Sequence, residues 1–280
     1  MEDLEHPRRT RERDVIGQPL RRLRPAGLRL EVWLPLALVA IVLGLWEWAS
    51  RTGRISPLFF PPPTHIAIKT WGLTRDGELP TDVWATFSRL GRGFIIGASA
   101  GLLVGLLMGW SRPLRATLDP IVAALHPVPK IALLPLFLII FGIGEAAIIF
   151  VVAVAAFFPM LINSMTGVLE INPIHFEVAD NFGARRSTVL RRVVLPGSLP
   201  MVIAGARLSL NTALIVTVAS ELVIGNEGLG AEIWFSWETL RTERLYASIV
   251  VISLIGILFN FGLRWLARQL TPWKPLGRGA

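Results

Sequence analysis

The chain has 280 residues, of which 52% are apolar and 17% charged, with a formal net charge of +8 and no cysteine. This composition excludes an ordinary soluble domain and indicates an integral membrane protein, and the lack of cysteine excludes disulfides and cysteine-based metal sites. Because almost all of the basic residues are arginines in an apolar chain, we interpret the positive charge as a topology signal rather than as nucleic-acid binding.

Six segments approach the length of about 20 apolar residues that a helix needs to cross hydrocarbon. Lys and Arg residues are more than twice as frequent on one side of these segments as on the other, which predicts that both termini are cytoplasmic. Arginine-rich sequence precedes the first segment and no small-residue cleavage site follows it, so we expect a retained span. The predicted fold class is an all-α membrane protein with about six transmembrane helices, at 32–49, 93–110, 121–141, 146–169, 201–224 and 246–266.

These spans divide the chain into a basic cytoplasmic tail (1–31), a first transmembrane helix (32–49), an outer loop (50–92), a core transmembrane domain (93–269) and a cytoplasmic tail (270–280). In the outer loop, the proline-rich stretch 56–63 predicts extended backbone, since proline removes a donor and restricts its predecessor. Residues 77–80 predict a turn. From Thr81 onward, apolar residues at helical spacing predict an amphipathic helix in the interface, either packed on the spans or exposed to a partner.

The second and third spans carry distinct signals. Five glycines at four-residue intervals form one stripe on the second span, which predicts close helix packing: Gly93, Gly97, Gly101, Gly105 and Gly109. Prolines at 127, 129 and 135 interrupt the third span, and broken helices are tolerated at membrane depth where they face protein or a water-filled cavity. We therefore expect this span to line a pathway through the membrane. Its candidate pathway residues are His126, Pro127, Pro129 and Lys130; the fourth span adds Asn163, and the fifth adds Asn211 and Glu221.

Some of these candidates have other interpretations. For Asn163 and Asn211, hydrogen bonds between helices are the default expectation. Glu221 lies near the outer end of its span, where a structural partner or contact with another protein fits better than proton relay. His126 has no second ligand near it in sequence, so we predict no metal site.

A basic segment lies between the fourth and fifth predicted spans. Ile174, Val178 and Phe182 form an apolar stripe on a short helix that begins after Pro173, and Gly183 is placed to end it in a left-handed turn. Ser187 is placed to cap a second helix that ends at Pro196. The segment therefore predicts a helix–turn–helix on the cytoplasmic side, suited to docking a protein or to lying on anionic headgroups.

Glu177, Ala179, Gly183, Val193, Leu195 and Pro196 have the spacing E-x-A, three residues, G, nine residues, V-x-L-P. This pattern resembles the EAA loop of ABC-importer permeases. Across 55–274 the chain is similar to permeases of the nitrate, sulfonate and taurine group, most of all to taurine permeases, through ISPLFFPPP (55–63), LDP (118–120), HPVP (126–129), LPLF (134–137), FGIGE (141–145), ASEL (219–222), GLG (228–230) and LTPW (270–273). It departs from the pattern at Val178 and Val193, which replace alanine and isoleucine, and at Lys130, where relatives usually carry a small or neutral residue.

The resemblance implies a type I ABC importer in the bacterial inner membrane. Its partners would be two cytoplasmic ATPase subunits, a second permease copy, an extracytoplasmic substrate-binding protein and membrane lipid. It implies that the ATPase-coupling residues are Glu177, Ala179, Phe182, Gly183, Ala184, Leu195 and Pro196. The chain has no G-x-x-x-x-G-K-[ST] phosphate loop, so we expect it to be no enzyme and to bind no cofactor itself, with ATP and Mg²⁺ held by the ATPase subunits.

Two other function classes are weighed against this one. An ion-coupled secondary transporter would show intramembrane carboxylates and internal repeats, whereas the charges here lie near span ends. A membrane-embedded enzyme would need an acid pair, a Ser/His pair or a metal-ligand set at depth, and the sequence shows none. For the solute, taurine or another sulfonate leads, nitrate or a related small anion follows, and a neutral or cationic solute is a further possibility.

Overall fold

The computed structural model describes residues 28–271, with side chains from residue 33 onward. The predicted basic tail up to residue 27 and the cytoplasmic tail from residue 272 lie outside the described residues. Within the described range the backbone is helical apart from short connections. Its α-helices are α1 (Leu28–Arg51), α2 (Pro63–Arg75), α3 (Glu78–Trp110), α4 (Arg112–Leu125), α5 (Leu134–Phe141), α6 (Glu145–Leu169), α7 (Ile174–Asn181), α8 (Arg186–Val189), α9 (Leu195–Ile224), α10 (Leu229–Glu238) and α11 (Thr242–Leu270).

The described residues fall into two units, one up to Trp46 and one from Glu47 onward. The described part of the first unit belongs to α1, an apolar helix with Pro35 inside it. The second unit contains the other helices. Its centre is α6, whose buried side chains include Val151, Val152, Ala155 and Ala156. Small and β-branched side chains at these positions let the neighbouring helices approach α6 closely.

By length and composition, five of the described helices could each cross a membrane, and the bent pair formed by α4 and Lys130–Phe141 brings the number to six if the pair is counted as one span. The count of about six is thus confirmed, but the predicted third span is not straight. Its two parts meet at 91°. The prolines at 127 and 129 cause this break, because each removes a backbone donor and disfavours helix at the residue before it.

The glycine stripe on α3 packs directly on α6, which confirms the predicted close approach. A Cβ atom added to Gly97 would lie 1.9 Å from the carbonyl oxygen of Ala153, and one added to Gly105 would lie 2.3 Å from that of Leu161. Only glycine leaves room for backbone contact of this kind. The stripe therefore serves packing within the chain.

The outer loop differs from the sequence expectation in four ways. The stretch 56–63 is not extended throughout, because the Ser56 carbonyl accepts backbone hydrogen bonds from Phe59 and Phe60 in a turn, and Pro63 begins α2. The predicted interfacial helix and the second span are one continuous helix, α3, so the predicted boundary between residues 92 and 93 falls inside it. The expected turn at 77–80 contracts to Asp76 and Gly77, where Gly77 has a φ of +83° and precedes the first residue of α3. Helix α2 was not predicted. Its start is held by Glu47, which accepts hydrogen bonds from the backbone nitrogen and the hydroxyl of Thr64, at 3.1 and 2.8 Å.

Candidate functional site

Helix α7 begins as the sequence predicts. Pro173 is its N-cap residue, and the Asn172 side chain accepts a hydrogen bond from the Ile174 nitrogen at 3.1 Å. Glu177 lies in the first turn, where a carboxylate is favoured by the helix dipole. The stripe Ile174, Val178 and Phe182 is solvent-exposed, and Phe182 is 86% exposed. We call these three residues the apolar ridge.

Gly183 ends α7 in a left-handed turn, with a φ of +63°. Its nitrogen donates to the Asp180 carbonyl, and the Ala184 nitrogen donates to the Ala179 carbonyl, both at 2.9 Å. This pair of bonds is a Schellman motif, which a glycine at this position favours because a Cβ is strained at positive φ. Ala179, Gly183 and Ala184 therefore form the turn through their backbone atoms. The turn fixes the position of Phe182, which lies beside it.

The second half of the segment differs from the prediction. Ser187 makes no capping bond, because α8 begins two residues earlier than predicted, with Arg185 as its N-cap residue. Pro196 does not end the helix. A π-helical turn at Leu190–Val194 joins α8 to α9, and Pro196 lies in the first turn of α9. The first turn of an α-helix tolerates proline, since its backbone nitrogens lack intrahelical acceptors, and the wider π turn loosens the hydrogen-bond ladder before it.

The two ends of the cytoplasmic segment come together around a cavity of about 190 Å³. His175 of α7 and Pro196 of α9 both line it, with Ile171, Arg192, Val193 and Gly197. Leu195, beside it, is exposed. The structure thus places most of the predicted coupling residues on one exposed unit, at the end of the bundle where α6 ends and α9 begins.

The pathway candidates at the broken span lie at the bend. His126 is the C-cap residue of α4 and is exposed, as are Pro127 and Pro129. The Lys130 ammonium donates to the carbonyl oxygens of Leu125, His126 and Val128, at 3.1, 2.7 and 2.7 Å. It also lies 4.4 Å from the ring centroid of Phe158 on α6.

Asn163 lies where α6 packs against α9. Its amide donates to the Pro159 carbonyl at 2.8 Å, and its Cβ fills the space that Gly205 leaves on α9. Asn163 therefore packs between the two helices, but its hydrogen bond stays within α6. Asn211 is half-buried on α9.

Glu221 is fully buried, which removes it from the groups that could line a pathway in this conformation. Its carboxylate accepts hydrogen bonds from the Thr86 hydroxyl at 2.8 Å, from Arg89 at 2.9 Å and from the Gly230 nitrogen at 3.1 Å. These bonds connect α3, α9 and α10. The position of Glu221 is therefore explained by its structural partners, Thr86, Arg89 and Gly230.

Arg89 and Thr86 were missed as partners of Glu221. The sequence counts Arg89 as a loop charge, but it is only 6% exposed and also contacts the Glu145 carboxylate, 3.4 Å away, and the Glu227 carbonyl, 2.6 Å away. The sequence did contain a signal for the burial of Arg89, because residues 86, 89, 93 and 97 fall on one face of a helix. An arginine that shares a face with a packed glycine stripe is expected to be buried and paired.

A multi-pass helical bundle with a proline-broken span and an exposed cytoplasmic helix–turn–helix defines a permease of the type I ABC importer class. The family profile described as "Binding-protein-dependent transport system inner membrane component" matches residues 97–274. The chain belongs to this family, and it is a permease subunit of a binding-protein-dependent importer in the inner membrane. The family implies an ATPase and a substrate-binding protein as partners.

Known proteins agree with this assignment. The chain is 36% identical over 251 residues to the taurine transport system permease protein TauC of Escherichia coli (strain K12), which covers 88% of this chain and 91% of that protein. It is 32% identical over 253 residues to the putative aliphatic sulfonates transport permease protein SsuC of Bacillus subtilis (strain 168), with 90% and 92% covered. The inward-facing MetNI methionine ABC transporter matches with a TM-score of 0.61 and 25% identity, covering 72% of this chain and 97% of that one.

Proposed function

We propose that this permease imports a small organic sulfonate, works as a homodimer, and is driven by two separate ATPase subunits docked on the apolar ridge. The observation that best supports docking of the ATPase subunits is the exposure of the apolar ridge. An 86% exposed phenylalanine at the cytoplasmic end of the bundle, beside a fixed glycine turn, is suited to insertion into a pocket of a partner. The arginines on α8 and the π turn would surround that contact with a polar rim.

ATP binding and hydrolysis are assigned to the partner subunits. None of the three lysines in the chain follows a glycine, so the chain has no phosphate loop of the usual kind. Mg²⁺ and nucleotide would accordingly be held outside this chain.

The bend between α4 and α5 supports a second permease copy. Its non-helical backbone at 126–129 is largely exposed, and such backbone is not stable against lipid. Nearby, Ile139 and Ile143 are 84% and 85% exposed. A second copy of the chain would cover this surface and enclose a water-filled pathway between the two bends.

The substrate class rests on the relatives, whose names specify taurine and aliphatic sulfonates. Both solutes carry a sulfonate group, and we extend this chemistry to the present chain. The soluble binding protein would set much of the selectivity, since it selects the solute before delivery.

The test is uptake by vesicles that contain the permease, with its cognate ATPase inside and its binding protein outside. We expect ATP-dependent uptake of taurine or a short alkanesulfonate, and no uptake when ATP is omitted. Selective uptake of nitrate would contradict the sulfonate assignment. Uptake driven by an ion gradient without ATP would contradict the coupling.

A further inference from the structure

We propose that Lys130 gives the bend between α4 and α5 a positive potential and so favours the passage of an anion. The inference rests on the proposed function, because it assumes that the bend lines the pathway. It explains the proposed substrate class by the positive charge of one side chain.

The bend lies near the middle of the bundle. Lys130 contacts the ring of Phe158, and the His126 ring lies 5.9 Å from the same ring, between centroids. Phe158 is close to the midpoint of α6, which is a full span. A charged side chain at this depth is costly to place, and it marks a functional position by default.

Without Lys130 the bend would carry a negative potential. Helix α4 ends here, and the last carbonyl groups of a helix have no intrahelical donors, which leaves about half a negative charge at that end. The exposed carbonyls belong to Leu125 and His126, and the carbonyl of Val128 follows in the non-helical connection. A broken helix that presents its C-terminal end to a pathway is suited to cations and repels anions.

The Lys130 ammonium reverses that sign. It carries a full positive charge against about half a negative charge, so the bend is left net positive. Its three N–H groups are all used by the three carbonyl oxygens, and the face of Phe158 provides a further contact. Lys130 therefore has no free donor for a ligand, and it acts on a passing anion through its electrostatic field.

A purely structural role for Lys130 predicts something different. If the side chain only holds the bend together, any group that can donate to the carbonyls should suffice, charged or neutral. If its field matters, only a charged group should restore transport. Both the geometry of the bend and its charge must therefore be varied, and varied separately.

The native chain contains no cysteine, so Lys130→Cys would create a unique thiol. The purified variant is treated either with an aminoethyl methanethiosulfonate, which attaches a primary ammonium at about lysine length, or with methyl methanethiosulfonate, which attaches a neutral group. It is then assembled with the cognate ATPase and binding protein in vesicles. Because charge is added after folding, a folding defect of a directly substituted variant cannot imitate the result. Thr239→Cys, in the exposed turn after α10, is the matched control.

We expect Lys130→Cys to lower sulfonate uptake per ATP hydrolysed by about tenfold or more, as the loss of one nearby unit charge should. The aminoethyl group should restore most of it, and the methylthio group should not. Lys130→Arg should retain uptake, whereas Lys130→Gln, which can still donate to a carbonyl, should not.

Equal uptake by the charged and neutral adducts, or normal uptake by Lys130→Gln, would overturn the proposal. If the wild-type assembly carries another anion in place of a sulfonate, the proposed substrate fails, and the same variants test Lys130 with that anion. A wild-type assembly that carries only solutes without an anionic group would overturn the role of Lys130 as well.

Discussion

Arg89, at the outer end of the bundle, contacts two carboxylates that differ greatly in exposure. Glu221 is fully buried, whereas the side chain of Glu145 is about half exposed and also pairs with Arg92 at 2.9 Å. A buried charge whose partner is removed is strongly destabilising, but an exposed ion pair contributes little. Substituting each carboxylate in turn therefore compares a buried ion pair with an exposed one at the same arginine.

We expect Glu221→Gln to destabilise the permease by about 3 kcal/mol, because it leaves the Arg89 charge buried opposite a neutral amide. Glu145→Gln should cost less than about 1 kcal/mol, since water screens that pair. Thermal unfolding of the detergent-solubilised protein measures both. Equal shifts in unfolding temperature would show that the buried pair has no special role.

Phe182 is the residue of the apolar ridge with the most exposed side chain. Phe182→Ala should leave the unfolding temperature unchanged, since few contacts within the chain are lost. It should lower ATP-dependent uptake by at least about tenfold, the effect expected for a central aromatic anchor. Ser187→Ala, which is also exposed in the same segment, is the control. Normal uptake by the Phe182 variant would rule out the ridge as the main docking surface.

Among the helices, α3 and α6 form the tightest contact, and the glycine stripe makes it possible. Gly97→Ala should destabilise the protein by about 2 kcal/mol or prevent its assembly, because the new methyl group would overlap the Ala153 carbonyl. Gly91→Ala, on the same helix but facing open space, should be neutral or slightly stabilising. Size-exclusion profiles and unfolding temperatures distinguish the two. A normal Gly97→Ala protein would mean that α3 and α6 lie farther apart.

The sequence predicts elements well where the signal is local and periodic. The glycine stripe, the exposed ridge and the Gly183 turn all depend on residues within one helix or one turn, and the structure has them. The role of Pro196 was mispredicted because it depends on a π turn before it, which no residue pattern announces. The start of α3 was placed too late because polar residues at its outer end interrupt the apolar pattern without interrupting the helix.

The candidate site follows the same rule. The predicted coupling residues occupy one short segment, and their spacing was sufficient to predict the exposed turn and ridge on which most of them lie; their coupling role stays a prediction. Glu221 was a pathway candidate with a structural alternative, and its partners Thr86 and Arg89 could not be named because they lie more than 130 positions away in the chain. Long-range pairs of this kind cannot be derived from one sequence, since nothing local specifies which faces of α3 and α9 meet.

At the scale of the whole molecule, the charge asymmetry predicts that the apolar ridge and the turn after α10 face opposite sides of the membrane. Single cysteines at Ser187 and Thr239 test this in the cysteine-free chain. A membrane-impermeant maleimide should label Thr239→Cys in spheroplasts, and it should label Ser187→Cys only after permeabilisation. The reverse pattern would place both termini outside.

The uninterrupted path from α8 through the π turn into α9 has a mechanical consequence. A flexible linker would absorb a displacement of α8, whereas a continuous helix transmits it as rotation. With 30 residues, α9 is about 45 Å long, so a tilt of about 5° around its cytoplasmic end moves its far end by about 4 Å. Under the proposed docking, the stroke of the transporter at the outer membrane surface would be set by the lever length of this one helix.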